Sequence, residues 1–483
     1  MTAPEKLFDR FDRSLAGPDR IARLRDGLVG EKAVVPGPFG PRPMVYADYV
    51  ASGRALAQVE AFVAEEVLPY YANSHTQASW CGQFMTRLRA EARRTIGRLV
   101  NAGPDHAVIF SGSGATAGIN RLVHLFGVAA RLERGERVTV LLGPYEHHSN
   151  ILPWRESGAA VVEIPEAAGG GPDLAALEAA LAAAGGGLAI GAFSAASNVT
   201  GIVTDVAAVT AILGRHGALA VWDYAGGGPY LPIDMQAGGG IDAAVISTHK
   251  FPGGPQASGV LVVNRAAVGT QRPSWPGGGT VAFVSAAGHD YSAALEAREE
   301  AGTPNVVGDV RAALAFLVKE AVGQDFIDAR HAALEEAARL TWQANPLIEL
   351  LGADRAGRLP IFSFRLRDGA GGFVHHQLVT RMLSDHFGIQ ARGGCACAGP
   401  YAHRLLGIGP ERSEAIRGAI ARGEELEKPG WTRLNFSYLI DDAKAAFIVD
   451  AVNELAGRAA ELAAAYGCDA ATARFSAEGL RAA

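Results

Sequence analysis

The sequence predicts an α/β protein, with a large domain on a mostly parallel, doubly wound sheet and a smaller α+β domain behind it. Three observations lead there. From Asp105 to about Asn264, short β-branched runs alternate with Ala-rich stretches that carry apolar residues at helical spacing, the pattern of strand–helix–strand units. After Pro304 the alternation gives way to a long helical stretch and a few separated strands. The chain has 483 residues, more than one minimal domain at roughly 150 residues each. With 49% hydrophobic and 19% charged residues it can bury a sizeable core.

In chain order, residues 1–44 contain Pro36, Pro38, Pro41 and Pro43 and read as an arm that joins the smaller domain. The large domain is expected over 45–305. Its strands are AVIF (107–110), VTVLL (138–142), AVVEI (160–164), LAIGAF (188–193), LAVWD (219–223), AAVIS (243–247) and GVLVV (259–263). Helical stretches such as AGINRLVHLFG and DLAALEAALAAA lie between most of them. The smaller domain, 306–483, begins with a helical region over about 306–343. It continues through the strand IFSFRL (361–366), a helix near 374–387, a Gly- and Cys-rich loop at 393–399, the strand WTRLNFSY and a closing helix from Asp441 to about Tyr466.

Composition narrows the function classes. Forty-four Lys plus Arg against 50 Asp plus Glu give a net charge of -6 with no long basic block, which argues against nucleic acid or an anionic membrane surface as partner. Cys81, Cys395, Cys397 and Cys468 are too few for a disulfide scaffold, and MTAPEKLFDRFDR lacks the apolar run of a secretory leader, so a cytoplasmic location is expected. The uncharged run from Ala179 to Thr204 is mostly Ala and Gly. It reads as helix and strand rather than as a membrane span.

Open parallel sheets bind ligands beyond the carboxyl ends of their strands, so the residues there carry the functional reading. The only lysines are Lys6, Lys32, Lys250, Lys319, Lys428 and Lys444, and Lys250 alone follows an apolar strand, in AAVISTHKFPGG. A desolvated lysine becomes an amine competent to condense with an aldehyde, although a strand-end lysine also serves as a salt-bridged or snorkelling residue. Asp223 ends LAVWD, where a buried carboxylate calls for a cation such as a protonated pyridine nitrogen, or else caps the following turn. IFSGSGATAGIN sets Ser111–Gly114 between a strand and a helix. The free backbone amides of that turn, the helix dipole and the Thr116 hydroxyl would make a phosphate cradle there, or the turn is a tight connection only. GPYEHHSN brings His147 and His148 to a strand end, where a ring can cover a flat cofactor. Adjacent histidines on an extended chain point apart and make a poor metal site, and no metal is expected. Asn198 offers an amide after the next strand. The ordered set of lysine, aspartate, phosphate turn, stacking histidine and asparagine is the constellation that holds pyridoxal 5'-phosphate.

On these residues the sequence resembles the class V aminotransferase family of fold-type I pyridoxal phosphate enzymes, most closely its cysteine desulfurase and selenocysteine lyase branch, from VYADYVASG to the last helix. The resemblance implies that Lys250 is the lysine joined to the cofactor, with Ser247 and His249 at its phosphate. It implies Asp223 at the ring nitrogen, Gly114, Ala115 and Thr116 in the phosphate turn, His147 stacked on the ring and Asn198 near the cofactor hydroxyl. The family's AGTPN motif stands at Ala301–Asn305. In the family it reaches the phosphate of the neighbouring subunit, which implies a homodimer with Thr303 as a shared ligand.

In the desulfurases a mobile loop carries a nucleophilic cysteine; here the loop reads ARGGCACAGP. Alignment from Arg392 and from Pro400 puts Cys397 at the family's position and leaves Cys395 as an extra thiol. A thiolate there would accept sulfur as a persulfide and pass it to a sulfur-acceptor protein, whereas the bland reading is a pair of unreactive loop thiols. Arg433 in WTRLNFSY matches the arginine that grips the substrate carboxylate; its alternative is an exposed strand arginine paired with Asp441 or Asp442. His75 in YYANSHT matches a histidine near the substrate. One departure stands out. Where the family has a glutamine three residues after the aspartate, this chain has Gly226. The expected activity is removal of sulfur from L-cysteine to give alanine and a cysteine persulfide. The alternatives are a class V aminotransferase, epimerase or carbon–sulfur lyase acting on another amino acid, or a non-catalytic sulfur-carrier module.

Overall fold

Seven of the apolar runs pair into one sheet. The computed structural model describes residues 4–74 and 76–477. In it the strands are His106–Phe110 (β1), Val138–Leu142 (β2), Ala160–Glu163 (β3), Leu188–Ser194 (β4), Leu219–Asp223 (β5), Ala243–Ile246 (β6) and Val260–Asn264 (β7). Their spatial order is β1-β7-β6-β5-β4-β2-β3. From β3 to β6 every neighbouring pair is parallel. β7 is the exception and lies antiparallel between β1 and β6.

The central strands read as continuous apolar runs because both of their faces are covered. Ala243, Ala244, Val245 and Ile246 have no exposed surface, while the edge strand β3 is largely exposed. On one face Ile119, Leu122 and Leu125 of the helix Ala115–Leu125 join Val245 and Leu261 in one apolar cluster. Two connecting helices, Leu174–Ala184 and Val206–Arg215, start at aspartate N-caps: Asp173 accepts from the amides of Ala175 and Ala176, and Asp205 from that of Ala208.

The chain divides into two compact units. The first is made of residues up to Gly27, Ser52–Ala196 and Val203–Gln324, the second of Leu28–Ala51, Ser197–Ile202 and the chain from Asp325 onward. The sequence pattern assigns 1–44 to an arm of the smaller domain and ends the large domain at 305. The structure instead packs the helix Leu7–Leu15 with the first unit, where Phe8 and Phe11 meet Phe62 and the Phe11 and Phe62 rings stand 5.3 Å apart edge-on. The helical stretch after Pro304 is two helices, Val306–Val322 and Gln324–Gln343, parted at Gly323 with φ +88°. Val306–Val322 lies against Trp80–Leu99 in the first unit, so the change of unit falls at the glycine break rather than at the proline.

In the second unit Ile348–Leu350 (β8), Ile361–Leu366 (β9), Arg392–Gly394 (β10) and Trp431–Asn435 (β11) form an antiparallel sheet in the order β8-β9-β11-β10. Helices His376–Phe387 and Asp442–Ala463 bury Val379, Met382, Leu383, Ile448 and Val452 with Phe362, Phe364 and Leu434 of the strands. Trp342 closes this core edge-on to Phe362, with ring centroids 5.0 Å apart.

A buried ionic cluster fixes the carboxyl end of β1 in the first unit. Glu300 accepts the Phe110 amide at 2.8 Å and pairs with Arg93 at 2.8 Å and Arg89 at 2.5 Å; Arg89 also holds Asp309 at 2.6 Å. Burial alone would keep Glu300 neutral, but the two guanidiniums and the amide hold its carboxyl below the usual range. Glu300→Ala would leave those cations and the amide facing an empty site. The expected loss is about 3–5 kcal/mol of unfolding free energy in chemical denaturation. A loss under about 1 kcal/mol would show that the cluster is no more than a surface-type pair.

Candidate functional site

Two strand ends bring the predicted lysine and aspartate together. Asp223 closes β5 and stands in register with Val245 of the parallel neighbour β6. Its carboxyl is 4% exposed; Oδ1 accepts the Ala225 amide at 2.7 Å, and no hydrogen bond reaches Oδ2 among the described residues. Burial pushes the Asp223 pKa up, while the Ala225 amide and the positive charge of Lys250 pull it down. The residue therefore caps its turn and still presents a free carboxylate oxygen within electrostatic reach of the lysine.

Lys250 is not on the strand. β6 ends at Ile246, Ser247 follows, and Thr248–Lys250 makes a single 3-10 turn. The turn is pinned from both sides: Thr248 Oγ1 donates to the Ser258 carbonyl and the Gly53 amide donates to the His249 carbonyl at 2.9 Å. Phe251 behind it has no exposed surface, which leaves the Lys250 side chain partly buried at the strand end.

The glycine turn after β1 lies beside these groups. Gly112 takes φ +76°, and Gly114 leads into the helix Ala115–Leu125, whose first amides have no intrahelical acceptor. Ser247 Oγ accepts the Ala115 amide at 3.0 Å. His249 Nδ1 stands 2.8 Å from the Ser113 carbonyl, so that nitrogen carries the proton; burial and the Lys250 charge lower the ring's pKa and keep it neutral. A Cβ on Gly114 would stand 3.1 Å from both His249 and Ser247, and one on Gly259 would lie 2.6 Å from the Gly114 nitrogen. Only bare backbone fits at that approach. A cavity of about 850 Å³ adjoins the turn, lined by Gly112, Ser113, His249, Arg121 and Trp275, and Thr303 of the AGTPN segment lines it as well.

His147 is joined to the cradle through a residue that the sequence reading passed over. Thr116 Oγ1 lies 2.7 Å from Ser149 Oγ, which is 3.0 Å from His147 Nδ1. The Ser149 amide donates to that same nitrogen at 3.1 Å, so in the neutral ring the proton sits on Nε2. The signal was a serine two residues beyond the histidine, where a side chain can close a local turn. His148 is half-buried, and burial and Arg155 lower its pKa. Glu146 was also passed over: it is 3% exposed and hydrogen-bonded to Ser194 and Asn150.

The second unit holds the other predicted residues. Arg433 on β11 is 4% exposed, with Nη2 2.9 Å from Asp48 and Nη1 donating to the Asn198 carbonyl at 3.0 Å. Arg392 Nε meets the other Asp48 oxygen at 3.0 Å. The alternative partners are engaged elsewhere: Asp442 pairs with Arg330 and Asp441 caps its helix by accepting the Lys444 amide. An exposed arginine paired to either is therefore excluded. Asn198 Nδ2 donates to the Ala396 carbonyl at 2.9 Å, which ties the segment Ser197–Ile202 to the cysteine loop. In that loop Cys395 is half-buried and Cys397 exposed, both as free thiols. Ala396 and Cys397 both take left-handed backbone, φ +53° and +55°, a conformation uncommon for side chains of either type. His75 lies outside the described residues. After Asp223, Tyr224 is buried and Gly226 has no side chain with which to meet a cofactor oxygen.

The donor set of the first unit suits a flat anionic cofactor: an unsatisfied carboxylate oxygen, an amine, a bare glycine turn at a helix N-terminus and a partly buried imidazole. The model of the aminotransferase class-V family matches residues 45–422. The chain belongs to that family. This class-V member is 30% identical over 367 residues to a probable cysteine desulfurase of Halalkalibacterium halodurans, covering 74% of this chain and 85% of the relative. It is 30% identical over 368 residues to a cysteine desulfurase of Klebsiella pneumoniae, covering 75% of this chain and 86% of the relative. Its fold is similar to that of the cysteine desulfurase CsdA of Escherichia coli, with a TM-score of 0.70 at 24% identity over 92% of this chain and 98% of that one. A cysteine desulfurase of Thermococcus onnurineus matches at a TM-score of 0.70 and 22% identity. In this class-V member no described helix is long and apolar enough to cross a membrane.

Proposed function

We propose that the chain is a pyridoxal phosphate-dependent cysteine desulfurase that takes sulfur from L-cysteine, releases alanine and holds the sulfur as a persulfide on Cys397. The observation that carries this reading is the placement of Asp223 and Lys250 at neighbouring strand ends, with the lysine's charge acting on a carboxylate that has one oxygen unsatisfied. Curated relatives at 30% identity named as cysteine desulfurases support the choice among class-V reactions.

Pyridoxal phosphate, when bound, supplies an aldehyde for amines and a ring that withdraws electrons from the substrate carbon. The remaining work belongs to side chains. Lys250 Nζ binds the aldehyde, then removes and returns protons at the substrate carbon. Asp223 Oδ2 keeps the ring nitrogen protonated. The Gly114 and Ala115 backbone, Thr116, Ser247 and His249 hold the phosphate, with Thr303 contributed by the second copy of a homodimer. His147 covers the ring, held by Ser149, and Asn198 serves the cofactor hydroxyl. Arg433 grips the α-carboxylate as a planar, permanently charged fork. Cys397 attacks as a thiolate: its Sγ bonds to the substrate sulfur, the bond from that sulfur to the β-carbon breaks, the β-carbon takes up a proton, and the proton removed from the α-carbon is returned there to complete alanine. An exposed thiol at 397 suits transfer of the sulfur to an acceptor protein in the cytoplasm.

The test is a panel of amino acids offered to the protein loaded with pyridoxal phosphate. L-Cysteine should give alanine and, with a thiol reductant present, an equal amount of sulfide. If L-cysteine gives no alanine while another amino acid yields its keto acid, the protein is an aminotransferase instead.

A further inference from the structure

Glu146 is a buried carboxyl close to Asp223 that the proposed chemistry leaves unused. It follows β2, is 3% exposed, and its two oxygens accept three hydrogen bonds: the Ser194 amide to Oε1 at 2.8 Å, the Ser194 hydroxyl to Oε2 at 2.7 Å and Asn150 Nδ2 to Oε2 at 2.6 Å. Ser194 ends β4 and stands opposite Asp223 across the parallel pair, so the two carboxyls flank one strand rung. The packing is close: a Cβ on Gly143 would stand 2.5 Å from Oε1.

The hydrogen-bond partners admit both protonation states. Trp154 Nε1 donates to Asn150 Oδ1 at 3.1 Å, which fixes the Asn150 amide and makes its Nδ2 an obligatory donor, as the Ser194 N–H also is. The Ser194 hydroxyl is different, because it can rotate to accept from a protonated Oε2. Resting on the cofactor reading above, we propose that Glu146 is a positioning residue that stores a proton behind Asp223, so that Asp223 is the ionised member of the buried pair.

The charges around it agree. Burial pushes the Glu146 carboxyl up to about 7, the bonds from Ser194 and Asn150 oppose the rise, and the Asp223 carboxylate adds to it. The charged group acting on Glu146 is Asp223 from β5, whose own pKa burial raises against the pull of the Ala225 amide and of Lys250 in the turn after β6; on Glu146's own segment, His147 Nδ1 is engaged by Ser149. The flanking Tyr145 bonds to Glu166, and Arg155 acts on His148. A cationic ring nitrogen at Asp223 would gain from a second negative charge on the pair, so release of the stored proton should tighten its hold.

Two measurements test this. In the apo-protein the infrared carbonyl stretch of a protonated carboxyl should fade as pH rises through about 7 and be missing in Glu146→Gln. Dissociation constants for pyridoxal 5'-phosphate, read by fluorescence titration from about pH 5.5 to about pH 8.5, should give a ratio of variant to wild type that grows about tenfold across the range. A flat ratio, or a carboxyl band that still fades near pH 7 in Glu146→Gln, overturns the proposal. If that variant does not fold, Ser194→Ala, which removes one donor to the charged form, should raise the pH at which the band fades; an unmoved midpoint overturns it equally. No binding by the wild type at any pH is a separate outcome and overturns the cofactor reading itself.

Discussion

Lys250→Ala is expected to remove the cofactor's visible absorbance from the purified protein and to lower alanine formation by about 10⁴-fold or more, over 5 kcal/mol in barrier height. The size of the effect follows from the number of tasks given to one nitrogen. In the proposed reaction the same Nζ joins the aldehyde and carries protons at the substrate carbon, and the remaining lysines lie elsewhere in the sequence. The fold should survive, because the turn Thr248–Lys250 is pinned by Thr248 and by the His249 carbonyl, neither of which involves the lysine side chain. Circular dichroism and a denaturation midpoint check that point. A variant that stays yellow and turns over at a tenth of the normal rate would show that the amine joined to the cofactor lies elsewhere.

Cys397→Ser should lower sulfide and alanine production by about 10²-fold or more, because a serine hydroxyl is not ionised near neutral pH and cannot accept sulfur as a persulfide. Cys395→Ser should stay close to wild type. The two thiols differ in ways that bear on reactivity: Cys397 is exposed on left-handed backbone, whereas Cys395 is half-buried at the start of the turn and its carbonyl accepts the Ala398 amide. Equal, normal turnover in both variants would make the reaction a carbon–sulfur lyase in which neither thiol takes part. A loss confined to Cys395→Ser would exchange the roles.

The strands of the large sheet were legible because each is short, β-branched and bounded by polar or glycine residues, and six of the seven run as the alternating pattern implies. The reversed direction of β7 was not legible, since burial on both faces gives the same apolar run in either orientation. Asp223, Lys250 and the glycine turn were visible as chemistry stranded at the ends of apolar runs. Glu146 was not, because a carboxylate beside two histidines draws attention away from itself until its three donors are seen in space. The partner of Arg433 was out of reach for a different reason: Asp48 is 385 residues away, and the nearer Asp441 and Asp442 offered themselves first. The change of unit at Gly323 escaped because a helical pattern continues on both sides of the break, and only the backbone angle marks it.

The reversal of β7 ties the lengths of two connections together. Because that strand runs against its neighbours, it begins where they finish, and Gly259 at its entrance exchanges backbone hydrogen bonds with two successive residues at the start of the glycine turn: its carbonyl accepts from the Ser111 amide and its amide donates to the Gly112 carbonyl. The segment between β6 and β7 therefore leaves and returns at the same rim, like a clasp hooked at both ends. Adding or removing a residue within it would shift Lys250 out of alignment with the glycine turn, so natural variation in length should collect at the opposite rim of the sheet.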